Sequence, residues 1–248
     1  MDKQGGNEIV YGRVPVRELL RSARQVDCIW TQKGLEGASL GGLIALAKER
    51  GVPAKEADAK KLEDISGGAN HQGVAALIPA ADYAELEDIF VRAGESPPLI
   101  VIADKVEDPH NLGAIIRVAE AAGAHGLIIP KRRSAGLSYT VAKTSAGAAM
   151  HLPVVRVSNL PAVMEDLKKR GVWLYGADMA GSPYDKTSFT GPAALVVGSE
   201  GEGLSRLVRE KCDMLVSLPM RGKVESLNVS VAAGILLYEM ARQRTVDN

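Results

Sequence analysis

The sequence predicts an α/β protein of two domains, a small one at the N-terminus and a larger one built on a mostly parallel sheet. Strand-like and helix-like patterns alternate along most of the 248 residues. Several strand candidates in the second half are continuous apolar runs, such as PLIVIA (98–103) and AALVVG (193–198), the pattern of strands buried on both faces. Between the halves, residues 81–96 hold five acidic side chains against Arg92 alone and lead into Pro97-Pro98. That composition marks a boundary. The expected organisation is a first domain at 1–80, a linker at 81–97 and a second domain at 98–248.

In the first domain the pattern predicts a helix over 14–23, with Pro15 tolerated in its first turn, and a strand at VDCIW (26–30). An amphipathic helix over 40–50 closes at Gly51, a residue suited to a left-handed cap, and GVAALI (73–78) is a further strand. Residues 83–93 form a short helix candidate inside the linker. In the second domain, strands are expected at 98–103, GLIIP (126–130), VWLYGA (172–177), 193–198 and MLVSLP (214–219). Helices lie between them, one over 111–122, and a long helix over 228–242 ends the pattern.

Composition narrows the function classes. Apolar residues make up 46% and charged residues 24%, an ordinary globular balance. Aromatics at 4% argue against a surface built on stacked bases. With a net charge of zero, a nucleic-acid partner must be held by local patches. Cys28 and Cys212 are far apart and outside any CxxC, so neither a disulfide framework nor a zinc site is expected. His71, His110, His125 and His151 lack metal-ligand spacing, so no metal is expected either. The polar start MDKQGGNE has no apolar stretch of the signal-peptide kind, and no run approaches the ~20 apolar residues of a membrane helix. The expected location is the cytoplasm, with no membrane partner.

Ligands collect beyond the carboxyl ends of parallel strands, and three such ends carry unusual polar sequences. DKVEDPHNLGAIIR (104–117) follows the first strand of the second domain. Asp108-Pro109 reads as a helix start with Asp108 as its cap, and Asn111 suits a cap or turn. Arg117 lies on a helix otherwise rich in Ala, Ile and Val, so it calls for an anionic partner, either a ligand or a structural carboxylate. LVVGSEGEGLS (195–205) is a glycine turn able to present backbone N–H groups, although Glu200 and Glu202 would repel a phosphate chain and neither GK[ST] nor GxGxxG is present. Taken alone it reads better as a plain turn with a solvated glutamate. LPMRGKVESLNVSVAAGILLYE (218–239) clusters Glu225, Ser226, Asn228 and Ser230 at a helix start, more polar groups than one cap needs.

In order, spacing and placement, these three segments resemble the signature motifs of the SpoU/TrmH family of RNA ribose 2′-O-methyltransferases. EIVYGRVPVRELL (8–20) and HQGVAALI (71–78) are similar to the small α/β RNA-binding domain found in part of that family. Within it, the similarity is greatest to the bacterial branch acting on a guanosine of 23S ribosomal RNA. The resemblance implies a C-terminal α/β-knot (SPOUT) methyltransferase domain with a trefoil knot, a homodimer, and S-adenosyl-L-methionine held in the knotted loops. It places cofactor contacts on Gly198, Leu218 and Leu227, with Ser199, Met220 and Thr144 close by, and catalytic roles on Asn111, Arg117, Glu200, Ser226 and Asn228.

Methyl transfer disperses the positive charge of the donor, which suits an apolar cradle of the kind Leu218, Met220 and Leu227 offer. The acceptor hydroxyl must lose its proton. A guanidinium is a poor base, so Arg117 is expected to hold a phosphate and orient the hydroxyl. For RNA contact, Arg13, Arg17, Arg21 and Arg24 are spaced to form one basic stripe if the first helix reaches that far, and Lys131, Arg132 and Arg133 follow a strand end on the ligand side. Lys168-Lys169-Arg170 suits the negative end of a helix instead. Competing readings are methylation of transfer RNA, a non-catalytic RNA-binding or ribosome assembly factor, and a nucleotide- or NAD-binding enzyme, the last disfavoured by the missing glycine fingerprints.

Overall fold

The structure is a computed structural model and describes residues 7–24, 26, 28–35, 37–79, 83–131, 133–199 and 201–245. In chain order its elements are β1 (Asn7–Tyr11), α1 (Arg13–Arg21), β2 (Cys28–Gln32), α2 (Ala38–Glu49), β3 (Ala54–Ala57), α3 (Ala59–Ser66), β4 (Val74–Pro79), α4 (Leu86–Ala93), β5 (Leu99–Ala103) and α5 (Pro109–Ala121). There follow β6 (Gly126–Pro130), α6 (Tyr139–Thr144), β7 (Val154–Val157), α7 (Leu160–Lys169), β8 (Trp173–Pro183), β9 (Ala193–Val197), α8 (Arg206–Lys211), β10 (Met214–Ser217) and α9 (Val229–Thr245). They divide into two compact units. One joins the described residues before Tyr83 to the later segment Leu137–His151, and the other holds Tyr83–Gly136 and the described residues from Leu152 onward.

The first unit is a sheet of order β1-β4-β2-β3, with β4 antiparallel to both neighbours and β3 parallel to β2. Alternation along the strands sends Val74 and Ala76 to one face, against Val16, Leu19 and Leu20 of α1 and Leu40 and Leu43 of α2. Ala75 and Tyr11 meet Leu62 of α3 on the other. Gly51 takes the left-handed backbone expected of it, φ +69°. Helix α1 stops at Ser22, whose extended backbone breaks the spiral. The basic stripe therefore ends with Arg21, and Arg24 turns aside to bring Nη1 within 3.7 Å of Met150 Sδ.

The segment at 137–151 has no sequence signal linking it to the N-terminal residues, yet it packs there. His151 Nε2 lies 2.9 Å from Glu18 Oε2. A Cβ at Gly147 would come within 2.3 Å of Glu18 Cγ, so glycine permits the approach.

The second unit is a parallel sheet of order β10-β8-β9-β5-β6-β7 among the described residues. Ile100, Ile102, Ala194 and Val196 bury one face against Ile89 of α4, Leu160, Met164 and Leu167 of α7, and Val208 of α8. The alternate residues, Val101 and Leu195 among them, are equally buried towards the side carrying α5 and α9, as the unbroken apolar runs predict. The segment expected as a linker, 81–97, contains a helix. Residues 86–93 form α4, and Ile89 and Ala93 are buried, with Ile89 in the core of this unit. Arg170 of the α7 C-terminus pairs with Glu87 at 2.8 Å and lies over the Phe90 ring, so α4 is a layer of the second unit.

Strand β8 runs past its expected end at 177. Its pairing with β10 jumps from Leu215↔Gly176 to Val216↔Ser182, which leaves 177–181 bulged out beside the carboxyl ends of the sheet.

Candidate active site

Three loops at the carboxyl ends of β5, β9 and β10 build the site. After β5 comes Asp104, buried, whose Oδ2 accepts from the Ser205 amide at 2.7 Å, so a carboxylate next to an apolar run pins the far end of the glycine loop. Asp108 caps α5, accepting from the His110 amide at 2.9 Å, with Pro109 in the first turn. Asn111, one turn in, is buried. Its Nδ2 donates to Asp108 Oδ2 at 3.2 Å, and its Oδ1 accepts from Asn228 Nδ2 at 3.0 Å. Asn228 Oδ1 in turn accepts from the amide and hydroxyl of Ser230, at 2.9 and 2.6 Å, at the start of α9.

The glycine loop after β9 closes on itself. Ser199 and Gly203 exchange backbone hydrogen bonds of 3.0 and 2.9 Å, and Gly203 adopts φ +65°. Gly198 lies so close to that closure that a Cβ there would stand 2.1 Å from the Gly203 carbonyl carbon. Any larger residue would force the loop apart, because the obstacle is backbone.

Two cavities meet at this loop. The larger, ≈ 430 Å³, is lined by Gly198, Ser199, Gly201, Glu202 and Gly203 of that loop, by Leu218, Met220, Ser226 and Leu227 after β10, and by Asp178 and Met179 of the β8 bulge. The smaller, ≈ 400 Å³, is lined by Lys105, Asp108, Asn111 and Arg133. Ser199, Gly201, Glu202 and Val229 line both, so one wall separates them. Lys105 Nζ lies 3.7 Å from Glu202 Oε2 across the smaller cavity. In the larger, the Arg209 guanidinium, 2.8 Å away, holds the Asp178 carboxyl below the usual carboxylate range.

Most of the residues singled out from the sequence converge here: Gly198, Ser199, Leu218, Met220, Ser226 and Leu227 on the larger cavity, Asn111 and Arg133 on the smaller, and Asn228 bonded to Asn111. Arg117 lines neither. It is exposed on α5 and has no ion pair or hydrogen bond to a described residue, so the structural salt bridge that would have explained it is not made. Thr144 ends α6 in the first unit. Glu200 and Arg132 lie outside the described residues, and Lys131 is exposed beside Arg133.

Sequence reasoning missed Asp104, Lys105, Asp178 and Met179. The first two were legible as polar residues directly after a buried strand. The last two depend on the bulge in β8, which no pattern announces. Cys212, beside the loop, has its thiol pushed up to about 12 by burial and by Asp213, the setting of an unreactive thiol. Among the described residues no cluster of His, Cys, Asp and Glu has the arrangement of a metal site.

Comparison with known proteins shows the family. The SpoU rRNA Methylase family model matches residues 98–238, and the model for RNA 2′-O ribose methyltransferase substrate binding matches 9–84. The chain is 47% identical over 229 residues to the 23S rRNA (guanosine-2′-O-)-methyltransferase RlmB of Ralstonia nicotianae, covering 92% of each chain. It is 43% identical over 242 residues to RlmB of Neisseria meningitidis serogroup B, covering 96% of each. Among solved structures, the SpoU methyltransferase AviRb from Streptomyces viridochromogenes, in complex with AdoMet, superposes with a TM-score of 0.82 at 28% identity, covering 98% of this chain and 92% of that one. With its motif residues gathered around two adjoining cavities, the chain belongs to the SpoU family of RNA ribose 2′-O-methyltransferases.

Proposed function

We propose that the chain methylates the ribose 2′-hydroxyl of a guanosine in 23S ribosomal RNA, with S-adenosylmethionine in the larger cavity and the acceptor nucleotide in the smaller. The observation that carries this reading is the common wall at Ser199, Gly201, Glu202 and Val229, which sets a donor site and an acceptor site side by side. Relatives over nearly the whole length that bear the name of this activity support the choice of RNA.

The larger cavity fits the cofactor. Leu218, Met220 and Leu227 supply an apolar cradle, and the loop fixed by Gly198 supplies backbone polar groups. When bound there, S-adenosylmethionine supplies an activated methyl group on a sulfonium centre. On the acceptor side, Asn111 is held by Asp108 and Asn228, so its amide cannot rotate freely and orients the ribose. Lys105 and Arg133 bring positive charge to the phosphates flanking that ribose. A guanidinium stays charged through the working pH range, so Arg117 clamps RNA phosphate rather than accepting the hydroxyl proton.

Two further features belong to this reading. Val231, Ile235 and Tyr238 form an exposed apolar stripe at helical spacing on α9, which packs beside α5. A second copy covering that stripe gives a homodimer, in which the unpartnered Arg117 of one copy serves the acceptor cavity of the other. The loops after β9 and β10 would then form the trefoil knot implied by the motifs, in a cytoplasmic enzyme. The test is ribose-methylation mapping of ribosomal and transfer RNA from cells with and without the gene. Loss of one 23S guanosine methylation is the expected result, whereas a lost transfer-RNA site, or no lost site, would overturn it.

A further inference from the structure

A third cavity, ≈ 600 Å³, lies wholly within the first unit, where the turn at 70–73 faces the start of α1. Arg13, Gln32, Asn70, His71 and Gln72 line it, and Leu35 forms its apolar wall. Its backbone is strained. Gln72 sits at φ +52°, a left-handed conformation uncommon for a residue with a side chain, and Gly73 follows it at +81°.

The hydrogen bonds inside this cluster fix where its polar groups stand. Gln72 holds Arg13 twice: its Oε1 accepts from the Arg13 amide and its carbonyl accepts from Arg13 Nε, both at 3.1 Å. The two terminal amino groups of Arg13 are left without a partner among the described residues. His71 Nδ1 accepts from the Gly73 amide at 3.0 Å, which places the proton of the neutral ring on Nε2 and makes that atom a donor. Asn70 Oδ1 accepts from the Gln72 amide, leaving its Nδ2 as a donor. The Gln32 carboxamide bonds to no described side chain or backbone group, so both its donor and its acceptor remain.

We propose that this cavity is a subsite for one unpaired nucleotide of the RNA, with the base edge against Gln32, Asn70 and His71 and the adjoining phosphate on Arg13. The chemistry decides between ligands. A phosphate alone is met by donors, whereas a base edge presents donors and acceptors together, and the Gln32 carboxamide offers an acceptor beside its own donor and those of Asn70 and His71. A single cation whose terminal amino groups have no partner among the described residues suits one phosphate. The inference rests on the RNA-methyltransferase reading and extends it from the reacting nucleotide to a recognition nucleotide.

The test compares wild type with Gln32→Ala, a change that breaks no intrachain bond, and with Arg13→Gln. The probe is a 23S ribosomal RNA transcript, its affinity is measured across salt concentrations, and cofactor binding and melting temperature serve as controls. Gln32→Ala should weaken RNA binding roughly tenfold without altering the salt slope. Arg13→Gln should weaken it and reduce the slope of log K against log salt by about one phosphate, ~0.7 for a single strand. Wild-type affinity in Gln32→Ala overturns the base subsite even if Arg13→Gln behaves as expected. A wild-type enzyme that methylates the transcript while both variants bind it normally overturns this proposal and leaves the catalytic reading standing. A wild type that neither binds nor methylates the transcript overturns both.

Discussion

Asn228 Nδ2 donates to Asn111 Oδ1 at 3.0 Å, joining two loops 117 residues apart in sequence. The same Asn228 carboxamide uses its oxygen at the start of α9, accepting from Ser230. One side chain thus serves as a helix cap and as the tie between the loop that bounds the larger cavity and the loop that bounds the smaller. Asn111 is held from its other side by Asp108, itself the cap of α5. Two ordinary capping residues are linked through one buried amide, and the linkage gives the site its fixed geometry.

These two roles of Asn228 can be separated. Asn228→Asp keeps the capping oxygen but has no donor for Asn111, whereas Asn228→Ala loses both. The alanine variant should be less stable by ~1 kcal/mol from the lost cap alone. The aspartate variant should melt close to wild type yet transfer methyl groups at least about tenfold more slowly, the effect of one lost orienting hydrogen bond. Full activity in the aspartate variant would mean that the orientation of Asn111 does not matter to the reaction.

Gly198 and Gly201 make a second matched pair. A Cβ at position 198 would collide with the Gly203 backbone at 2.1 Å, while one at position 201 would meet no atom within 4 Å. Gly198→Ala should therefore open the loop and lower S-adenosylmethionine affinity about tenfold or more in calorimetry, and Gly201→Ala should bind nearly as wild type. Equal losses in both would show that the loop needs flexibility rather than close approach.

Much of this was legible in the sequence, and the failures have physical causes. Continuous apolar runs announced the buried parallel strands because both faces of that sheet are covered by helices. Asp108-Pro109 announced α5 because cap and first-turn preferences act locally. Residues 83–93 were read as a helix from their own pattern but assigned to a linker from their charge. Glu87 and Asp88 lie on the solvent side of α4, while Ile89 enters the core and Leu86 and Phe90 pack against it. The pairing of 137–151 with the first unit, the bulge that delivers Asp178 and Met179, and the bond between Asn111 and Asn228 are all long-range. Local propensity carries no information about them.

Glu239 on α9 gives a pH-dependent test of the helix that carries the third motif. Hydrogen bonds from Arg242 and Gln243 hold its carboxyl down to about 2, below the ordinary ~4.3 of a glutamate in an unfolded chain. Because the folded-state value is depressed, the contribution to stability is fully present above the unfolded value and is lost as pH falls towards about 2. Gln243 also donates to the Thr187 carbonyl and accepts from the Phe189 amide, so the pair fastens α9 to the segment before β9. Glu239→Gln should lower the melting temperature at neutral pH, with a gap to wild type that narrows steadily between about pH 4 and pH 2. A constant gap would assign the loss to packing instead of charge.

Arg117 is exposed on α5, makes no ion pair to a described residue and lines neither cavity of its own chain. Arg117→Ala should therefore leave stability within ~0.5 kcal/mol of wild type, as surface changes do, while abolishing methyl transfer. Arg117→Lys should keep partial activity with an unshifted pH profile, because a clamp needs only charge; recovery confined to high pH would make this residue a base. If Arg117 serves the cavity of a second copy, mixing Arg117→Ala with Gly198→Ala under conditions that exchange subunits, at a cofactor concentration too low for Gly198→Ala alone to turn over, should restore activity. A mixed dimer then contains one site whose glycine loop and arginine are both intact. Mixtures as inactive as their components would confine each site to one chain.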